Sequence, residues 1–116
     1  MKKFAVIKID GVVELHDVST DGEEESRFLS DAVGGWFQCV PLRAEMDGFY
    51  LWCNEEGKLD GLTLNPVATG LWVMSYGPSD IICGDIVITG GVDEEGETLG
   101  LSDAQISKLE EILELV

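Results

Sequence analysis

Positive charge is scarce in this chain: 7 Lys and Arg stand against 23 Asp and Glu among 116 residues, a formal net charge of -16. A molecule this anionic repels nucleic acid and anionic lipid at neutral pH, which excludes direct nucleic-acid binding and leaves basic proteins or cations as natural partners. Only Lys2, Lys3 and Lys8 cluster at all. Histidine is scarcer still. His16 is the one side chain suited to proton transfer near neutral pH, and strand alternation sets it beside Glu14 and away from Val13 and Leu15, on a solvated face rather than in a cleft. No serine or cysteine has a base adjacent in sequence, so the expectation is a protein that is not an enzyme.

The three cysteines, Cys39, Cys53 and Cys83, are odd in number and form no CxxC pair. That pattern excludes a disulfide framework and lacks the short ligand knuckle of a zinc site, leaving buried free thiols in a reducing cytoplasm. No metal is expected. The acidic stretch Asp93-Glu94-Glu95-Gly96-Glu97 has its glycine too early for an EF-hand loop, Gly57-Lys58 lacks the upstream glycine of a P-loop, and Gly90-Gly91 sits in no dinucleotide fingerprint, so no cofactor is expected either. Long apolar runs are also missing. Lys8 and Asp10 interrupt the first one before it reaches signal-peptide length, and the uncharged Gly61 to Ser79 stretch is broken by Asn65, Pro66, Gly70, Gly77 and Pro78, which excludes a membrane span.

What is present is enough apolar material for a core. Hydrophobic residues make up 45% of the chain, too many for disorder despite the charge, and the length fits a single acidic domain over residues 1–116. Phe4 to Ile9 and Val12 to Val18, separated by Asp10-Gly11, predict a hairpin. Thr20 with Glu23, or Asp21 with Glu24, starts a helix whose Phe28, Leu29, Ala32 and Val33 recur at helical spacing until Gly34-Gly35. Trp36 to Met46 alternates as a strand with an open side or bulge at Pro41. Phe49 to Cys53 and Lys58 to Leu62 complete a three-stranded meander through the turns at Asp47-Gly48 and Asn54 to Gly57. Asn65-Pro66 reads as the cap and first residue of a short helix through Leu71 and Trp72. A strand centred on Ile86-Val87-Ile88 follows. Leu101, Ser102, Gln105 and Ile106 form a capping box with a hydrophobic staple, opening a last helix with Ile106, Leu109, Ile112, Leu113 and Val116 on one face. The fold class is α+β: a mainly antiparallel sheet of five or six strands with two longer helices and one short helix.

The acid is concentrated in three runs, and these carry the leading site assignment. Glu23, Glu24 and Glu25, then Asp93, Glu94, Glu95 and Glu97, then Glu110, Glu111 and Glu114 form candidate surfaces for a protein partner with a basic face. The last group lies near a helix C-terminus, where the macrodipole disfavours anions. Rows of carboxylates on a rigid domain can occupy a groove made for phosphates, so nucleic-acid mimicry is the sharpest version of this reading. Trp36, Trp52, Trp72 and Tyr76 read mainly as core. Asn54, Asn65, Trp72 and Tyr76 mark a second candidate, a ligand or partner pocket between the meander and the short helix. A homo-oligomer with the Gly61 to Ser79 stretch at its contact is a third reading.

Four blocks resemble a known family. Gly34-Gly35-Trp36-Phe37-Gln38-Cys39-Val40-Pro41-Leu42, Cys53-Asn54-Glu55-Glu56-Gly57-Lys58-Leu59-Asp60-Gly61-Leu62, Asn65-Pro66-Val67-Ala68-Thr69 and Gly84-Asp85-Ile86-Val87-Ile88-Thr89-Gly90 are similar to domain-of-unknown-function family 3846, over about Phe4 to Leu113. The Asn-Glu-Glu-Gly-Lys-Leu block is the most specific. The resemblance implies a small bacterial, bacteriophage or plasmid accessory protein in the host cytoplasm, and brings no activity and no catalytic residue. Asn54, Gly57, Asn65 and Gly84 fall on turns and caps, which marks them for fold geometry. The cysteines at 39, 53 and 83 depart from the family pattern.

Overall fold

The computed structural model describes residues 1–114. Five strands form one antiparallel sheet in the order β2-β1-β5-β4-β3: β1 Lys2–Ile7, β2 Val13–Val18, β3 Phe37–Pro41, β4 Phe49–Asn54 and β5 Ile86–Gly90. Three α-helices accompany it, α1 Gly22–Val33, α2 Pro66–Tyr76 and α3 Asp103–Leu113, with a 3-10 turn at Ala44–Met46. The α+β class holds. No helix of the described residues is long and apolar enough to cross a membrane.

Alternation along the strands divides the core between the two faces of the sheet. Phe4, Val6 and Val87 point to one face and pack under Leu29 and Val33 of α1. Ala5, Ile7, Leu51, Ile86 and Ile88 point to the other and pack under Ala68, Leu71, Leu109 and Ile112 of α2 and α3. Helices on both faces explain why β1 and β5 read as unbroken apolar runs rather than alternating ones.

Local chemistry sets most element ends. Asp21 caps α1 by accepting from the Glu24 amide at 3.1 Å, and Gly34 ends it at φ 80°. Asn65 caps α2. Ser102 and Gln105 bond reciprocally in the capping box that opens α3, with Leu101 and Ile106 in the same core cluster. The predicted end of the apolar face at Val116 lies outside the described residues.

Four expectations need correction here. The strand from Trp36 to Met46 stops at Pro41, because Ala44 takes φ 56° and opens the 3-10 turn; Pro41 itself lies on the edge strand, where its missing amide is tolerated. Lys58 to Leu62 is not a strand but a run of turns, with Gly61 at φ 71° and Leu59 87% exposed, and the place beside β4 is taken by β5. Trp36 is not core, being 79% exposed, and Cys39 is an exposed thiol rather than a buried one. The helix opened by Asn65-Pro66 runs through Leu71 and Trp72 as expected and ends at Tyr76.

Two glycines position the C-terminal segment. A Cβ on Gly90 would fall 2.6 Å from the Gly100 carbonyl oxygen, and one on Gly100 would fall 2.8 Å from the Lys3 amide. The chain returning from the 93–97 turn is therefore pressed against the ends of β5 and β1, where the Leu101 amide donates to Lys3 O at 2.8 Å. This fixes where α3 begins.

Candidate functional site

Antiparallel neighbours send alternate connections to the same end of a sheet. β2 ends at Val18 opposite Lys2, and β5 ends at Gly90 opposite Phe49, with Ile88 beside Ala5. The start of α1 and the 93–97 turn thus emerge from one end. Glu23, Glu24, Asp93, Glu94, Glu95 and Glu97 are all exposed there, and none takes part in an ion pair among the described residues.

The two lysines at that end are already engaged. Lys2 bonds Glu25 at 2.8 Å and Lys3 bonds Asp17 at 2.8 Å. Glu25 is therefore not part of the open acidic surface: it is only 9% exposed and neutralised by Lys2. The Lys3 ammonium is held above its ordinary pKa by the hydrogen bond to Asp17 and then by that carboxylate's charge, with Asp103 adding. Asp103 consequently belongs to the same end, as do Asp21 and, missed by sequence reasoning like Asp103 itself, Glu45 and Asp47. No local signal marks Glu45, Asp47 and Asp103, because their place follows from the strand order, in which the crossover through α1 brings the ends of β2, β3 and β5 together.

Asp93 differs from its neighbours in being occupied by its own loop. Its carboxylate accepts from the amides of Glu95 at 2.8 Å and Glu97 at 3.0 Å, which rigidifies the turn and splays Glu94 and Glu95 outward. Glu110, Glu111 and Glu114 are exposed but stand apart, near the far end of α3.

A cleft of about 360 Å³ opens at the opposite end of the sheet, lined by Gln38, Cys53, residues 54–59 and residues 80–83. It coincides with the Asn-Glu-Glu-Gly-Lys-Leu block. Asn54 lines it but serves the fold: Nδ2 donates to Val33 O at 3.1 Å, and Oδ1 accepts from the Glu56 amide at 2.8 Å. Gly57 lets the loop approach Cys83, whose carbonyl oxygen lies 3.1 Å from where a Cβ would stand. Lys58 pairs with Asp80 across the mouth, and this bond, with the Ile81 amide, holds the Asp80 carboxyl below its ordinary pKa.

Burial pushes the Cys53 thiol up to about 11, Asp80 adding to the rise and Lys58 opposing it. At neutral pH it is a protonated thiol, without the thiolate that attack on an electrophile needs. Alkylation of Cys53 by iodoacetamide at pH 7.5 should run at least tenfold slower than that of a free thiol and catch up on unfolding in urea. Peptide mapping over time checks this; equal native and unfolded rates would contradict the burial argument.

The other nominated pocket residues do not line this cleft. Asn65 is fully buried and completely bonded, donating to Ile7 O and Gly84 O at 3.1 and 3.0 Å and accepting from the Ala68 amide at 3.0 Å. Trp72 and Tyr76 meet at a ring-centroid distance of 4.6 Å, with Trp72 half-buried against the core; the indole donates to Ser79 Oγ, Tyr76 OH donates to Pro41 O, and the Arg43 guanidinium lies 4.9 Å over the Tyr76 ring. They tie α2 to the end of β3. His16 also departs from expectation: it is half-buried, 5.3 Å from the Phe28 ring and 3.1 Å from Glu14, in a groove between β2 and α1. Among the described residues, no group of three or more His, Cys, Asp or Glu side chains is arranged to hold a metal.

An antiparallel five-stranded sheet with helices on both faces and an open carboxylate rim at one end defines an acidic α+β domain. The chain belongs to the family described as Domain of unknown function (DUF3846), whose model matches residues 1–114. No curated protein and no solved structure matches it.

Proposed function

We propose that this protein is a phage- or mobile-element-type accessory factor of the bacterial cytoplasm that acts by stoichiometric binding to a protein with a basic surface, not by bond-making. In its sharpest form the acidic sheet end resembles a stretch of nucleic acid and occupies the groove of a host DNA-handling or defence protein. The observation that supports this is the segregation of charge at that end: Lys2 and Lys3 are already engaged by Glu25 and Asp17, while Glu23, Glu24, Glu94, Glu95 and Glu97 face solvent with no ion-pair partner among the described residues. Rigid unpaired carboxylates raise the on-rate for a cationic surface and lose that advantage as salt screens them.

Capture from bacterial lysate on immobilised protein, eluted in rising salt and then in double-stranded DNA, tests the proposal. A specific protein released by both should bind at least tenfold more weakly to a chain carrying Glu23→Gln, Glu24→Gln, Glu94→Gln and Glu95→Gln, with a shallower salt dependence. Salt-indifferent capture, or capture unaffected by the four exchanges, would overturn it. A second reading draws on the cleft, whose volume falls at the lower end for small-ligand sites. Native mass spectrometry of the purified protein tests it, since a retained metabolite lost on exchange of Lys58 favours the cleft over the rim.

A further inference from the structure

The outer edge of β2 is a second, separate surface. β2 is the terminal strand of the sheet and among the described residues pairs only with β1, so every second residue turns an amide and a carbonyl outward with no neighbouring strand there to meet them. Its sequence, Val-Glu-Leu-His-Asp-Val, contains neither the Lys nor the Pro that commonly blunts such an edge. On the face toward α3, Val13 is 40% exposed and Leu15 48%. With Leu113 they floor a trough of about 450 Å³ walled by Glu110 and Glu114. The last turn of α3 holds no basic residue to neutralise those two carboxylates.

We infer that this edge takes an extended segment of a basic protein, added to β2 as a further strand. Main-chain hydrogen bonds to β2 supply affinity in such an arrangement, and alternate side chains supply selectivity. Arg or Lys at every second position lays its aliphatic stem over Leu15 and Leu113 and carries its head group to Glu110 and Glu114. The intervening residues turn to the opposite face, beside the Glu14–His16 pair. A second copy of this chain does not fit: pairing β2 with β2 would bring two chains of net charge -16 together and set Glu14, Asp17, Glu110 and Glu114 against their like. Nucleic acid and anionic lipid fail for the same reason. The inference shares with the proposed function only the premise of a basic partner, and concerns a different surface.

Fluorescence anisotropy with a short labelled peptide alternating Arg and Val is the test. At low salt it should saturate with a Kd on the order of 10 µM. Exchange of Glu110→Lys together with Glu114→Lys should weaken it at least tenfold, as should N-methylation of alternate peptide amides, which removes the strand bonds. The four rim exchanges Glu23→Gln, Glu24→Gln, Glu94→Gln and Glu95→Gln should leave it within about twofold, so that loss of this site and loss of the rim are told apart. The inference is overturned if a peptide of the same composition with its Arg and Val in separate blocks binds as tightly, if N-methylation or the α3 exchanges change nothing, or if the rim exchanges abolish binding. It is overturned too if a chain ending at Glu114 gains more than tenfold in affinity, because the chain's own end would then be the occupant.

Discussion

Replacing Asn65 with Ala should lower stability by about 3–5 kcal/mol, seen as a fall in Tm on the order of 15 °C in thermal unfolding followed by circular dichroism. The size follows from what one side chain does. Oδ1 satisfies the Ala68 amide at the start of α2, and Nδ2 satisfies two carbonyls, Ile7 O at the end of β1 and Gly84 O just before β5. Asn65 is 0% exposed, so water cannot replace any of the three bonds, and each orphaned group adds a desolvation cost to the lost cap. Asn65→Asp should be worse at pH 7 than Asn65→Ala, because an anionic oxygen would then face two carbonyl oxygens in a buried site. The sign is checkable. Burial beside acceptors raises the folded pKa of that carboxyl above its unfolded value near 3.9, so the deficit against wild type should be smallest at or below about pH 4 and grow as pH rises. A pH-independent deficit would show that the loop around Gly84 relaxes to let water in.

That the chain's punctuation is readable and its long-range pairing is not follows from where each signal resides. Asp21 with Glu24, Gly34, Asn65-Pro66 and the Ser102–Gln105 box act within a few residues of themselves, and each stands where its own hydrogen bonds require. Lys58 to Leu62 misleads because the Asn54 to Gly57 turn reads like a hairpin connection, yet the Asn54 side chain and Gly57 curl the loop back toward Cys83 before any pairing is made. The partner that β4 finds instead, β5, lies more than thirty residues away, and its match of Leu51 with Ile88 is decided by burial on both faces of the sheet. The candidate surfaces divide the same way. Glu23, Glu24 and the 93–97 run are legible as dense acid, whereas Glu25 looked identical in sequence and is removed from the surface by Lys2, its contact across 23 positions. Asp103, Glu45 and Asp47 join the rim only through topology. Asn65 was legible as a cap, but its donation to Ile7 O, 58 positions away, was not, which is why a residue of the fold could be nominated for a pocket.

The three glutamates of α3 sit where the helix itself gains nothing from them. Glu110, Glu111 and Glu114 crowd the negative end of the macrodipole in a chain of net charge -16, with no basic residue in the last turn. Exchanging all three for Lys should therefore raise stability by about 1–2 kcal/mol at low ionic strength, an advantage that shrinks as salt is added. The expected gain in stability and the expected loss of peptide binding come from the same atoms, and Glu111 separates them: it does not line the β2 trough, whereas Glu110 and Glu114 do. Glu111→Lys alone should stabilise and leave binding within about twofold, while Glu110→Lys with Glu114→Lys should stabilise and weaken binding together. Urea titrations at two salt concentrations, read beside anisotropy on the same samples, resolve the two effects. A stability cost carried at two positions and matched by affinity there identifies a surface kept for recognition. If the exchanges stabilise at every position without touching affinity, the acid of α3 is solvated charge and the trough beside β2 has no such occupant.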